Sequence, residues 1–435
     1  MTFDEAIAYL DQLTRFGIRP GLERTQRLLA AIGNPERHMK HVHVAGTNGK
    51  GSAAVMVESV LRHAGYRTGL FTSPHLQRYT ERIRVDGKEI PQAELASILQ
   101  SLVPAISAMG EDPDLGLPTE FEVCTALCFE WFRRAGVEIA VVEVGLGGRY
   151  DSTNVVMPEV GVITHIALDH MERLGRTLGE IAWDKAGILK PGIPAVVAPQ
   201  EEESERVLKR VASDVGAPVV WTGRDVTWNV VSVDVLGTTM EINVPGFVVG
   251  TVRTSLPGRH QAVNCAVAVT TLGVLAGRGF PVPREALEAG LIGARNPGRF
   301  EVVDPGPPLV ILDGAHNPDG AHALASAVGE IIPGRPRVLV LGCSRDKPLR
   351  EMVEILAPLA EIIIGTEASH TRSGAADPEE IVSLARQAGR EAWAVIPARA
   401  AASEALGLAR SRGAQAVLIA GSLYLIGEVR GMWRD

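Results

Sequence analysis

One short segment, Gly46-Thr47-Asn48-Gly49-Lys50-Gly51-Ser52, combines three glycines, two hydroxyls, an amide and a cation. It follows an apolar run, His41–Ala45, and precedes a helical pattern from Ala53 to Ala64. Strand, glycine loop and helix in that order suit a phosphate. The glycines let backbone N–H groups converge on one point, and the helix N-terminus adds positive potential there. Lys50 can reach terminal phosphates, and the Ser52 hydroxyl a phosphate or magnesium. The spacing departs from GxxxxGK[ST], because the first glycine is missing; the plainer alternative is a turn with a surface lysine. No Asn is followed by Lys, so a guanine-reading Asn-Lys-x-Asp motif is absent. A GTPase switch is thereby excluded, and a simple kinase is left open.

Two further sites have metal or phosphate chemistry. Glu143 ends the apolar run Ile139–Val142 and precedes Gly145-Leu146-Gly147-Gly148-Arg149. A carboxylate at the C-terminal end of a buried strand faces the ligand crevice of a parallel sheet, and magnesium takes few carboxylates besides phosphate oxygens and water. His170, in Ile166-Ala167-Leu168-Asp169-His170, also follows an apolar strand. Lys185, in Trp183-Asp184-Lys185-Ala186-Gly187-Ile188, reads by itself as a surface cation.

The surrounding pattern supplies a frame for these residues. Phe3, Ile7, Leu10 and Leu13 predict an amphipathic helix over 3–16, with Thr2 and Glu5 at capping-box spacing. Buried-strand runs at Thr68–Phe71, Ile139–Val144, Val160–Ile166 and Ala195–Ala198 alternate with helical stretches such as Glu120–Ala135 and Glu202–Val215. Continuous apolar strands between helices predict a mainly parallel sheet covered on both faces. Between Val226 and Leu256 polar and apolar positions alternate, which predicts a small antiparallel β ribbon, followed by a helix over Gln261–Ala276. A Pro- and Gly-rich stretch sets a domain boundary near Asn296–Gly298, giving a P-loop ATP-binding domain over 1–296 and a smaller α/β domain over 297–435. Strands Leu309–Leu312, Arg337–Leu341, Glu361–Ile364, Ala392–Ile396 and Gln415–Ile419 recur in the latter.

The chain's 435 residues exceed one ordinary core. Its 43 Lys and Arg against 51 Asp and Glu, a net charge of −8, argue against a general nucleic-acid binder but leave room for small anions. The four cysteines lack CxxC or zinc-ligand spacing, which points to a reducing, cytosolic compartment. The first residues lack signal-peptide character, and no apolar run comes near bilayer length, so no membrane role is expected.

Taken in order, Gly46–Ser52, Thr72-Ser73-Pro74-His75-Leu76, Gly145–Asn154, Leu168-Asp169-His170, Asp184–Ile188 and Asp313-Gly314-Ala315-His316-Asn317-Pro318 resemble the folylpolyglutamate and dihydrofolate synthases, the folate branch of the Mur ligase superfamily. Gly51 after Lys50 looks like that branch. The resemblance runs to Gly421-Ser422-Leu423-Tyr424 and implies ATP-dependent amide formation between a folate carboxylate and L-glutamate. It further implies tetrahydrofolate, dihydropteroate or both as the acceptor, an acyl-phosphate route, and release of ADP and phosphate. It implies an ATPase domain, a Rossmann-like C-terminal domain and an active site between them, in a cytoplasmic monomer that uses ATP, two Mg2+ ions and K+.

Site roles follow from the same resemblance. Ser73 and Glu143 would hold one magnesium, and Glu143 and His170 a second. Lys185 would be carbamylated by CO2, which calls for a lowered pKa. Asn264 would lie near adenine. Arg299, Asp313 and His316 would reach ATP or glutamate, with Asp313 as a helix cap and Arg299 as a surface ion-pair partner the structural alternatives. Ser73, Pro74 and His75 would belong to the pterin-side loop, and Ser422 and Tyr424 to the substrate cleft, although Tyr424 also suits packing. Departures from the family pattern are Asn296 before Pro-Gly-Arg, Cys343-Ser344-Arg345, and His370-Thr371-Arg372-Ser373. The other readings are a Mur-type ligase acting on a non-folate acid and a nucleotide-dependent binding module, which glutamate-dependent ADP release would separate from any ligase.

Overall fold

The structure is a computed structural model that describes every residue except 15, 16, 18, 335, 336, 372, 434 and 435. The predicted helix over 3–16 is seen as Phe3–Leu13 with its Thr2–Glu5 capping box, while 15 and 16 lie outside the described residues, as does Arg372. The chain divides into two compact units. One comprises Met1–Asn229, Glu241–Arg253 and Val263–Ala294; the other comprises Val230–Met240, Thr254–Ala262 and Arg295–Asp435.

In the first unit the apolar runs become β1 (Lys40–Ala45), β2 (Thr68–Phe71), β3 (Ile83–Val85), β4 (Lys88–Glu89), β5 (Ile139–Glu143), β6 (Val160–Ile163), β7 (Ala195–Val197) and β8 (Val219–Trp221). They form one sheet in the order β4-β3-β2-β5-β1-β6-β7-β8. Every pairing from β2 to β8 is parallel, and only β3 and β4 run antiparallel at the edge. β5 is buried at all five residues, as expected of a strand covered on both faces. Helices Phe3–Leu13, Gln92–Glu111 and Glu120–Arg134 bury their apolar faces together on one side, and Leu178–Lys185 and Glu202–Val215 pack with β6 and β7 on residues such as Ile181 and Leu208.

Helix Gln92–Glu111 is long and apolar enough, by length and composition alone, to cross a membrane, contrary to the expectation that no run comes near that length. Its Leu95, Ile98, Leu99, Leu102, Ile106 and Met109 are spent in the core. It is therefore a core helix of this fold.

The small antiparallel sheet has three strands, β9 (Thr227–Asp234), β10 (Gly237–Val244) and β11 (Val248–Thr254), in the order β11-β10-β9. The second unit carries β12 (Glu301–Asp304), β13 (Leu309–Asp313), β14 (Arg337–Leu341), β15 (Ile362–Gly365), β16 (Glu391–Ala394) and β17 (Ala416–Ala420). Their order is β12-β13-β17-β14-β15-β16, and all pairings but β12–β13 are parallel.

The helix that follows the phosphate loop, Lys50–His63, is buried from Ser52 to Leu61. Helix Arg284–Gly293 lies across it so closely that a Cβ at Gly290 would overlap the Val60 backbone. Backbone cannot move aside as a flexible side chain can, so Gly290→Ala should destabilise the first unit by about 1–3 kcal/mol. Chemical denaturation checks this, and an unchanged midpoint would mean that the two helices separate freely.

Candidate active site

Strand order assembles the site of the first unit. β2, β5, β1 and β6 are consecutive neighbours in the sheet. Their C-terminal ends lead to Ser73, Glu143, Gly46–Lys50 and the 164–170 segment respectively, so residues far apart in sequence meet along one edge.

The phosphate loop is tied down on several sides. Gly46 and Gly49 have φ of +149° and +88°, conformations that side-chain-bearing residues avoid. A Cβ at Gly46 would also overlap the Thr164 hydroxyl, and one at Gly49 the Asn264 amide. Asn264, expected near adenine, thus stands against the phosphate loop itself. The Thr47 N–H donates to the His165 carbonyl at 2.8 Å, and its hydroxyl donates to the Ala167 carbonyl at 3.1 Å. Lys50 begins the helix, and its Nζ donates back to the Thr47 carbonyl at 3.2 Å.

Lys185 is where the structure departs from the reading of the residues alone. It is no surface cation: it is 3% exposed, and its Nζ donates to the Gly46 carbonyl at 2.8 Å. Burial lowers its pKa to about 7, helped by the Lys50 charge and opposed by Asp184, Asp169 and Asp151. The glycine turn after β5 closes on the same helix, since Arg149 N–H donates to the Asp184 carbonyl at 2.9 Å. Asp151 fixes the turn by accepting from Leu146 N at 3.0 Å and Thr153 N at 2.9 Å. Thr153 in turn meets His43 Nε2 at 2.8 Å.

Glu143 is 5% exposed, and its Oε2 accepts from the Ser73 N–H at 3.3 Å. Ser73 is followed by Pro74 across a cis bond. His75 Nδ1 accepts from Arg82 Nε at 2.9 Å, and Arg82 is paired with Glu120. His170 caps a short helix at a left-handed φ of +50° beside Asp169. Arg82, Glu120, Asp151 and Thr164 are neighbours that sequence reasoning did not single out; no spacing rule joins Arg82 to Glu120, 38 residues on. Thr119 and Glu122, which form a capping box at the start of helix Glu120–Arg134, are the local signal that could have drawn attention to Glu120.

In the second unit, the adjacent strands β13 and β17 deliver the other candidates. Asp313 does not cap the following helix; Asn317 does so, through Gly320 N at 2.8 Å. Asp313 instead accepts from Phe300 N at 2.7 Å and from Ala315 N at 2.8 Å. Burial raises its pKa, against the pull of the Arg299 charge and those two N–H groups. Phe300 sits at φ +45°, a conformation that needs such restraint. Gly298 is bound by Gly314 N and Glu301, and Glu301 by Arg430. Arg299 therefore projects from a loop pinned on both sides. His316 Nδ1 donates to the Gly314 carbonyl at 2.8 Å. The Ser422 hydroxyl accepts from Tyr424 N at 3.2 Å, and Tyr424 is partly buried.

Asp313→Ala would strand two buried N–H groups. It should cost about 1–3 kcal/mol of stability, measured by denaturant titration; a loss near zero would show that the Arg299 loop is held by the Glu301–Arg430 pair alone.

A cavity of about 910 Å³ lies elsewhere, lined by Lys40, His41, Glu138 and Glu159 at the N-terminal ends of β1, β5 and β6. Its place opposite the phosphate loop sets it apart from this constellation.

Residues 44–272 match the Mur ligase middle domain, and residues 298–423 the Mur ligase glutamate ligase domain. The chain is 35% identical over 433 residues to the dihydrofolate synthase/folylpolyglutamate synthase of Bacillus subtilis, with 98% of each chain covered. It resembles the structure of Mycobacterium tuberculosis folylpolyglutamate synthase complexed with ADP and AMPPCP at a TM-score of 0.89 and 32% identity, covering 99% of each chain. It resembles Escherichia coli FolC in complex with DHPP and ADP at a TM-score of 0.83 and 30% identity, covering 98% of this chain and 97% of that one.

Proposed function

The chain belongs to the dihydrofolate synthase/folylpolyglutamate synthase family of Mur ligases, and from that premise we propose that it joins L-glutamate to a folate-type acid at the expense of ATP. It is an ADP-forming ligase. The observation that best supports the reading is the convergence of the phosphate loop, Glu143, Ser73 and buried Lys185 at neighbouring strand ends.

A carboxylate is a poor electrophile, and phosphorylation gives it a leaving group. The carboxylate oxygen attacks the γ-phosphorus in line and ADP departs. The amine of glutamate then attacks the acyl carbon, phosphate departs with the bonding pair, and the amine's proton is lost as the amide forms. Lys50 and the loop N–H groups oppose the charge that develops on phosphate. To reach it, Lys50 leaves the Thr47 carbonyl. Arg299 and His316 serve ATP or glutamate, with Asp313 acting through the backbone that carries Arg299.

Magnesium suits this donor set. The buried Glu143 carboxylate with Ser73 beside it is the sparse protein contribution that magnesium accepts along with phosphate and water. When bound, it would neutralise phosphate charge. Lys185 fits carbamylation: a buried amine with a pKa of about 7 is substantially neutral at physiological pH and can add to CO2 with loss of a proton. The reading also makes the enzyme a cytoplasmic monomer; its four free, buried cysteines suit a reducing compartment.

The test is coupled ADP release with dihydropteroate, tetrahydrofolate and tetrahydrofolyl diglutamate, each with and without L-glutamate. Release that requires both an acid and glutamate, with a product heavier by one glutamyl residue, is expected. Glutamate-independent release would overturn the ligase reading. Turnover with none of the three acids would move the enzyme to a non-folate substrate.

A further inference from the structure

His75 lies between Ser73, whose N–H meets Glu143, and the turn Tyr79–Arg82. Its Nδ1 is 2.9 Å from Arg82 Nε. A guanidinium offers only N–H groups and no acceptor. Nδ1 must therefore accept, and the ring proton resides on Nε2. The lone pair that could serve as a base is already committed to Arg82.

Arg82 is itself immobilised. It is 5% exposed, and its Nη1 donates to Glu120 Oε1 at 3.0 Å. It lies over the Tyr79 ring, 4.6 Å from the centroid, and the Tyr79 hydroxyl donates to the same Glu120 oxygen. Glu120 is the first residue of helix Glu120–Arg134, whose start is held by the Thr119–Glu122 capping box. Orientation thus passes from a capped helix to Glu120, to Arg82, to the imidazole. A buried ion pair of this kind adds little net stability, because desolvation offsets attraction. What it does provide is a single geometry for the group that it faces.

We propose that Arg82 and Glu120 are positioning residues that hold His75 as an Nε2–H donor, and that this donor serves an oxygen acceptor of the acid substrate beside Ser73 and Glu143. The substrate half of this proposal rests on the ligase reading. Its chemistry is specific. The acceptor is a carboxylate or carbonyl oxygen, and His75 is not the base that removes the proton of the glutamate amine.

Two measurements test it. Long-range ¹H–¹⁵N correlation spectra of histidine-labelled enzyme should show His75 in the Nε2–H form in the wild type. That single form should be lost in the Arg82→Met/Glu120→Gln double variant, which leaves no lone buried charge and so keeps the fold. In steady-state kinetics His75→Leu should lower kcat/KM by about 10- to 100-fold, whereas His75→Gln, which keeps an N–H donor at the ε position, should lose much less. A wild-type Nδ1–H tautomer, or an Arg82→Met/Glu120→Gln spectrum unchanged at His75, would overturn the positioning half. Equal losses for His75→Leu and His75→Gln would overturn the donor half. If the wild-type enzyme shows no acid- and glutamate-dependent turnover at all, the ligase reading itself has failed, and the spectra judge the tautomer separately.

Discussion

Lys50→Met should lower acid- and glutamate-dependent ADP release by on the order of 10³-fold. The substitution keeps an unbranched stem of good helix propensity at the first position of helix Lys50–His63, so the fold should survive. What it removes is the one cation carried by the phosphate loop, where charge gathers on the transferred phosphoryl group. The structure adds a second consequence. The Lys50 charge is, after burial, the next cause of the low pKa of Lys185. Without it, Lys185 should titrate at higher pH and be carbamylated less readily at a given pH. Intact-mass measurement under bicarbonate would therefore show a smaller carbamylated fraction in the Lys50→Met enzyme than in the wild type. Turnover within tenfold of wild type, with unchanged thermal stability, would remove Lys50 from the mechanism.

The second large effect is expected at Lys185. Its folded pKa of about 7 lies below the ordinary lysine value of 10.5. Above about pH 7 the amine is thus mostly neutral, and below it mostly protonated. Only the neutral amine adds CO2, so activity should be flat above this pH and fall about tenfold per unit below it. Removal of bicarbonate should mimic acid, and its return should restore the rate. Lys185→Ala should abolish the bicarbonate response along with most of the activity, and acetate, supplying a carboxylate in place of the carbamate, should restore part of it. A fully active wild type with an unmodified Lys185 under bicarbonate would exclude the carbamate while leaving the phosphate loop untouched.

Much of this protein was legible one segment at a time. The phosphate loop is contiguous, and its glycines, cation and hydroxyl need only seven residues to be recognised. Strands such as Thr68–Phe71 and Arg337–Leu341, and helix Glu202–Val215, have the ends that their apolar pattern predicts. The three-stranded form of the small sheet, and the long helix Gln92–Glu111 with its bilayer-like composition, were harder to read. Alternation shows that a segment is a strand without saying how many partners it has, and hydropathy measures composition rather than what covers a face.

Composition, spacing and order along the chain were enough to determine the α/β class, the phosphate loop and the resemblance to folate-linked ligases, because each is written in near neighbours. Only the tertiary structure decided which strand ends stand side by side, and with them the meeting of Ser73 with Glu143. It decided that Lys185 lies buried against Gly46, a residue 139 positions away, where sequence alone made it a surface cation. It also decided that Asp313 restrains the Arg299 loop rather than capping a helix, and that His75 and His316 carry their protons on opposite nitrogens. Burial, charge and tautomer depend on what packs against a residue, and those contacts come from parts of the chain that no local pattern connects.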